Sequence, residues 1–201
     1  MREIAVRLEK SFSVEMLRAD LDRVGNDFWA PVIEEHAGKN WVGAALRSRD
    51  GSPVTLDVGE SYRDTPLLAS LPYMGEVLGF FECSLQRARL LALLPGAAIG
   101  EHTDDEDTEH KREVRLHIPV VTNDKAEFYV SGTSIPMNPG QLWYVDVSMP
   151  HKVHNFGGSA RVHVVIDCLV NNWLMERLKA PAQRICVDLA EQAIPTNATI
   201  G

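Results

Sequence analysis

His102 has a carboxylate two residues further on, in the stretch GEHTDDEDTEHKREVRLHIPV (100–120), and of the seven histidines only this one does. On an extended segment, side chains two apart point the same way. His102 and Asp104 would then be two donors of a site that binds a redox-active divalent metal through two imidazoles and one carboxylate, with coordination positions left open. The third donor must come from far along the chain, and VSMPHKVHNFGG offers two, His151 and His154. Arg161 follows ten residues after His151. A guanidinium beside such a centre forks onto a carboxylate, so it suits an organic-acid cosubstrate. Alone, His102 and Asp104 read as part of a solvated acidic loop rather than as a metal site. With a distal histidine and an arginine, the pattern becomes specific.

Elements that could hold such donors in register are visible from residue 86 onward. RARLLALL (87–94), REVRLHIPVV (112–121), AEFYVSG (126–132), QLWYVDV (141–147) and ARVHVVIDCLV (160–170) are short apolar or alternating runs. Pro95-Gly96, Thr122-Asn123-Asp124, Pro139-Gly140 and Gly157-Gly158-Ser159 separate them, the spacing of an antiparallel sandwich or barrel. Earlier, SVEMLRADLDRV (13–24) has helical spacing with Ser13 as N-cap, and WVGAALRS (41–48) reads as a strand. PLLASLPYMGEVLGFF (66–81) reads as a buried helical segment broken at Pro72, and VNNWLMERL (170–178) as a closing helix. The expectation is one domain over 1–201: a helical part over about 1–85, a β core over about 86–170, and a C-terminal helix and tail over 171–201.

Composition narrows the function. With 201 residues, 45% of them hydrophobic and 24% charged, the chain can bury a full core and reads as soluble and globular. Acidic residues outnumber basic ones 28 to 20, a net charge of −8, which excludes the basic stripe of a nucleic-acid binder and the polybasic anchor of a membrane-surface protein. No apolar run reaches membrane-spanning length. Three scattered cysteines, Cys83, Cys168 and Cys186, form no CxxC pair and read as reduced thiols, so a cytoplasmic setting is expected.

The ordered set TPLLASLPYMGEVL, RLLALLPGAAIGEHTD, VRLHIPV, GQLWYVDVSMPH and ARVHVVID, covering roughly 41–170, resembles the aspartyl/asparaginyl β-hydroxylase family of iron(II)- and 2-oxoglutarate-dependent oxygenases, particularly small bacterial members that hydroxylate free proline. The resemblance implies a mainly β fold, a double-stranded β-helix (jelly-roll, cupin-like) with N-terminal helices packed on it. It implies His102, Asp104 and His151 as iron ligands, with His151 preferred because Asp146, Ser148 and His151 match the family's D-x-S-x-x-H. Arg161 matches the position that binds the far carboxylate of 2-oxoglutarate, and Arg115 and His117 match positions at its other carboxylate end. The family's animal members have glycine where Asp104 stands, and a serine that helps hold their 2-oxoglutarate corresponds to Leu91.

The function so implied is a dioxygenase that takes Fe(II), 2-oxoglutarate and O2. It hydroxylates an unactivated C–H of an amino acid or amino-acid residue and releases succinate and CO2. A small-molecule amino-acid substrate is expected, with neither nucleic acid nor membrane as partner. The alternative is a cupin-type metal-binding isomerase or a ligand-binding sensor, which would use three histidines and a glutamate; a structural sandwich with coincidental histidines is the bland third. Asp105, Glu106, Asp107 and Glu109 read as a solvated rim, His154 as a surface polar residue, and Trp143, Tyr144 and Trp173 as packing.

Overall fold

The computed structural model describes residues 1–33, 40–104 and 113–188. Two antiparallel sheets dominate it. In chain order the elements are β1 (Arg2–Ser11), α1 (Val14–Leu21), β2 (Ala30–Pro31), β3 (Trp41–Ser48), β4 (Arg63–Asp64), α2 (Pro66–Ala69) and α3 (Pro72–Gly79). The rest are β5 (Leu85–Leu93), β6 (Ala97–His102), β7 (Glu113–Val121), β8 (Ala126–Val130), β9 (Thr133–Ser134), β10 (Gln141–Val145), β11 (His151–Asn155), β12 (Arg161–Leu169), α4 (Asn172–Lys179) and β13 (Gln183–Val187). The larger sheet runs β13-β1-β10-β7-β12-β5-β3-β2, with β4 beside β3, and the smaller runs β6-β11-β8-β9. This is the expected double-stranded β-helix.

Helix starts follow local chemistry. Ser13 Oγ accepts from the Met16 N–H at 3.3 Å to open α1, and Asn171 Oδ1 accepts from Leu174 N–H at 3.0 Å to open α4. α3 has Leu71 in the cap position, which offers no acceptor, and buried Asp20 on α1 accepts from the Met74 N–H at 2.8 Å instead. α2 stops at Ala69 and Pro72 opens α3, so the segment breaks beside the expected proline. At Pro139-Gly140 the glycine has φ +79°, and a Cβ would run into the Phe12 carbonyl.

The N-terminal part corrects the expectation of a helical 1–85. Arg2–Ser11 is a ten-residue strand inside the larger sheet, paired to β10 and β13, with Ile4, Ala5 and Val6 fully buried. β3 joins the same sheet through β5. The tail after Pro181 likewise supplies β13. The larger sheet therefore extends beyond 86–170, because both ends of the chain return to pair at its edge.

The central strands of the larger sheet are buried on both faces. One face carries Leu46, Leu90, Leu116, Ile118, Val164 and Ile166, which pack against Leu17 of α1, Leu67 of α2, Met74 of α3 and Leu174 of α4. The other faces the smaller sheet, where Trp143, Val145, Ile99, Phe128 and Val153 form a second apolar cluster. The site lies in that space between sheets. Among the described residues no helix is long and apolar enough to cross a membrane.

Candidate active site

His102 is the last residue of β6 and His151 the first of β11, and the two are register partners. Pairing across the ladder sets their rings side by side, with centroids 4.2 Å apart. His102 Nδ1 lies 2.8 Å from the Gly100 carbonyl and His151 Nδ1 3.0 Å from the Met149 carbonyl. A carbonyl only accepts, so Nδ1 carries the proton in each ring and Nε2 the lone pair. Asp104 follows β6 and is tied by its N–H to the Val147 carbonyl at 3.0 Å. Its Oδ1 lies 3.4 Å from His102 Nε2 and 3.6 Å from His151 Nε2.

One donor atom from each of His102, Asp104 and His151 falls within 4.8 Å of the others. Two imidazoles and a carboxylate at that spacing fit a first-row divalent metal with open positions. The protonation states agree. Burial alone would raise the Asp104 carboxyl, but the charge of the Arg115 guanidinium holds it well below the usual carboxylate range. Burial pushes His151 down, against the pull of Asp104, and so favours the neutral ring that a metal needs. The loop entering β11 is stapled by Ser148, whose Oγ donates to Asp146 Oδ1 at 2.6 Å, while Arg2 donates to Asp146 Oδ2 at 2.9 Å.

A cavity of about 540 Å3, counted to its open mouth, brings together all six residues singled out from the sequence: His102, Asp104, Arg115, His117, His151 and Arg161. Arg161 opens β12 and is buried, its Cζ 5.6 Å from the centre of the Phe128 ring. It donates to His163 Nδ1 at 3.1 Å, and among the described residues no carboxylate pairs with it. Burial pushes the guanidinium down to about 9. His117 is buried with no hydrogen-bond partner on either ring nitrogen among the described residues; burial, then the Arg161 and Arg115 charges, keep it neutral. Leu91 lines the wall, so an apolar side chain stands where the resemblance has a serine.

Arg115 reaches the cavity but is already engaged. Its Nε donates to Asp167 Oδ1 at 2.7 Å, and one terminal nitrogen donates to Asp104 Oδ2. Asp167 also accepts from Arg87 at 2.9 Å and Arg89 at 3.0 Å. The sequence reading missed this cluster. Its signal was parity: Arg87 and Arg89 alternate on β5, and Asp167 shares the β12 face of Arg161 and His163.

His154 faces away from the cavity, its Nε2 2.9 Å from Glu127 and its ring stacked 4.5 Å from Phe156. Trp143 is fully buried between the sheets, and Trp173 packs against Phe80 and Phe81, as expected of packing residues. The acidic rim, Asp105, Glu106, Asp107 and Glu109, lies outside the described residues.

Comparisons with known proteins point to one family and one fold. The profile of the Aspartyl/Asparaginyl beta-hydroxylase family matches residues 12–170. The chain is 27% identical to an L-proline cis-4-hydroxylase of Rhizobium meliloti (strain 1021) over 161 residues, 78% of this chain and 57% of that protein. It is 24% identical to L-proline cis-3-hydroxylase 1 of a Streptomyces species over 164 residues, 80% of this chain and 53% of that one. It thus spans about half the length of the curated relatives it matches. Among solved structures, a 2OG-Fe(II) oxygenase family oxidoreductase from Burkholderia pseudomallei superposes with a TM-score of 0.54 at 16% identity, covering 79% of each chain. A Pseudomonas putida prolyl-4-hydroxylase does so with 0.53 at 14%, covering 85% of this chain and 94% of that one, and both likenesses speak to the fold. With the family profile spanning most of its length, the chain belongs to the aspartyl/asparaginyl β-hydroxylase family.

Proposed function

We propose that this chain is an iron(II)- and 2-oxoglutarate-dependent dioxygenase that hydroxylates an unactivated C–H bond of an amino acid or amino-acid residue, with His102, Asp104 and His151 as metal ligands. The observation that carries this reading is Arg161. A buried guanidinium without a counter-charge is costly, and this one faces the same cavity as the histidine–aspartate cluster. A keto-acid dianion bound at the metal by one end and reaching Arg161 with its far carboxylate supplies the missing charge through a forked pair. Neutral His117 is a donor for the near end, and Arg115, engaged by Asp104 and Asp167, lines the cavity beside it. Bound iron(II) would supply the O2 chemistry, with 2-oxoglutarate oxidised to succinate and CO2 as the C–H bond becomes C–OH. The protein's own part is to orient both organic ligands and to keep the reacting space dry.

The substrate we infer is a small amino acid, with L-proline first to test because the relatives that match over most of this chain are proline hydroxylases. Nucleic acid and membrane partners do not suit a net charge of −8. The setting we infer is a reducing cytoplasm, in which the thiols of Cys83, Cys168 and Cys186 stay free. The cupin-type alternative is not favoured: the cluster holds two histidines and an aspartate, and that alternative gives Arg161 no task. The test is turnover of 2-oxoglutarate to succinate with Fe(II), ascorbate and an amino-acid panel. Stimulation by one amino acid, lost in Arg161→Ala, is expected; no succinate with any member would sink the proposal.

A further inference from the structure

Asp104 turns its two oxygens to different neighbours. Oδ1 faces both Nε2 atoms of His102 and His151, whereas Oδ2 accepts from Arg115. Arg115 is itself gripped at Nε by Asp167, which is 1% exposed and sits on the central strand β12. Arg87 and Arg89 complete the ring of donors around Asp167. We propose that Asp167 and Arg115 are a positioning pair: from behind the cavity they hold the outer oxygen of Asp104, so that this carboxylate presents a single oxygen to the metal.

The inference rests on the metal-ligand reading above and adds residues that touch no metal. Asp104 needs such a hold. It lies past the end of β6 and is tied through its backbone to Val147, which leaves the carboxylate to be oriented by side chains. A free carboxylate binds metals through one oxygen or both, and a donor on the outer oxygen decides between them. An arginine has several rotatable bonds, so it orients a partner only if it is itself held; the bond from Nε to Asp167 does this. Arg87 and Arg89 keep Asp167 paired whether or not Arg115 is present.

Charge alone predicts the opposite effect. A guanidinium beside a divalent cation repels it, so its removal should tighten metal binding if Arg115 acts only as a charge. The sign therefore discriminates. The experiment is Co(II) binding to the full chain without 2-oxoglutarate, followed by calorimetry and by the visible bands of the bound ion. Arg115→Met keeps the bulk and leaves Asp167 with two partners; its Co(II) dissociation constant should rise roughly 10–100-fold, with altered bands. Arg115→Lys keeps the charge but lacks the fork that spans two carboxylates, and should lose affinity as well. Asp167→Asn should weaken Co(II) in the same direction, and the double variant should be no weaker than Arg115→Met alone, because the two residues act in series. His154→Ala should bind like the native chain. Unchanged or tighter binding in Arg115→Met, or full affinity in Arg115→Lys, would overturn the pair, as would additive losses in the double variant. A native chain that binds no Co(II) would instead remove the metal-site reading itself, and the pair with it.

Discussion

Along β12, Val162, Val164, Ile166 and Cys168 point into the core packed by the helices, whereas Arg161, His163, Val165 and Asp167 point toward the space between the sheets. All eight are buried, so solvent does not distinguish the faces. Chemistry does. The first face is assembled for cohesion. The second contains an arginine with no carboxylate partner among the described residues, a histidine held neutral and a carboxylate ringed by three arginines. Buried charge of that kind is a poor stabiliser, and replacing it with apolar side chains of similar volume is often neutral or favourable. One strand thus separates apolar from polar chemistry by residue parity.

The sharpest way to break the comparison is Arg161→Met. Two charge-assisted hydrogen bonds at about 1.5–3 kcal/mol each imply a loss of roughly a hundredfold or more in metal-dependent 2-oxoglutarate affinity. The thermal midpoint should hold or rise, since a desolvated cation is removed. A clear fall in midpoint, or a retained affinity by calorimetry, would mean that this face serves cohesion after all. Ile166→Ala is the mirror experiment. Truncation of a fully buried side chain should cost about 2–5 kcal/mol in denaturant unfolding and leave 2-oxoglutarate affinity unchanged. Coupled losses in both measurements would join the two faces.

A smaller effect concerns pH. Burial, then the neighbouring arginines, lowers His117; burial, Arg161 and His117 lower His163, both below the ordinary 6.5. The unfolded chain takes up these protons first, so the stabilisation is complete above about pH 6.5 and is lost as pH falls toward the folded values. His117→Phe, which cannot titrate, should flatten the stability profile measured by urea unfolding between about pH 7.5 and 5. The slope it removes is at most about 1.4 kcal/mol per pH unit, the limit for one proton. An unchanged slope would show that His117 takes its proton equally in both states.

Legibility followed the same division. Where a strand is apolar on the helix-packed face, its run shows in the sequence: WVGAALRS became β3 to the residue, and RARLLALL, REVRLHIPVV and ARVHVVIDCLV lie within a few residues of β5, β7 and β12. β6 and β11 did not show, because AAIGEH and HKVHN alternate partly exposed positions with the donors themselves. The residues that build the site conceal the strands that carry it. β1 was hidden for another reason. REIAVRLEKS is short of apolar residues at both ends, and its pairing with β10 and β13 comes from 130 or more residues away, a separation that local pattern does not encode. The grouping of His102, Asp104 and His151 was legible because motif and order carry it, whereas Asp167 and its arginines are joined across 52 to 80 positions.

The pairing of His102 with His151 has a consequence for metal exchange. The hydrogen-bond ladder, and not an ion, sets the separation of these two rings, so the entropy of gathering them is lost when the sheet forms. A chelator should therefore strip the centre and leave a folded protein that reloads, unlike small zinc domains whose ligands come together only around the ion. The same rigidity makes the occupant a matter of supply: imidazole and carboxylate donors hold nickel or zinc more tightly than iron(II), so the medium in which the chain is made decides which ion it carries.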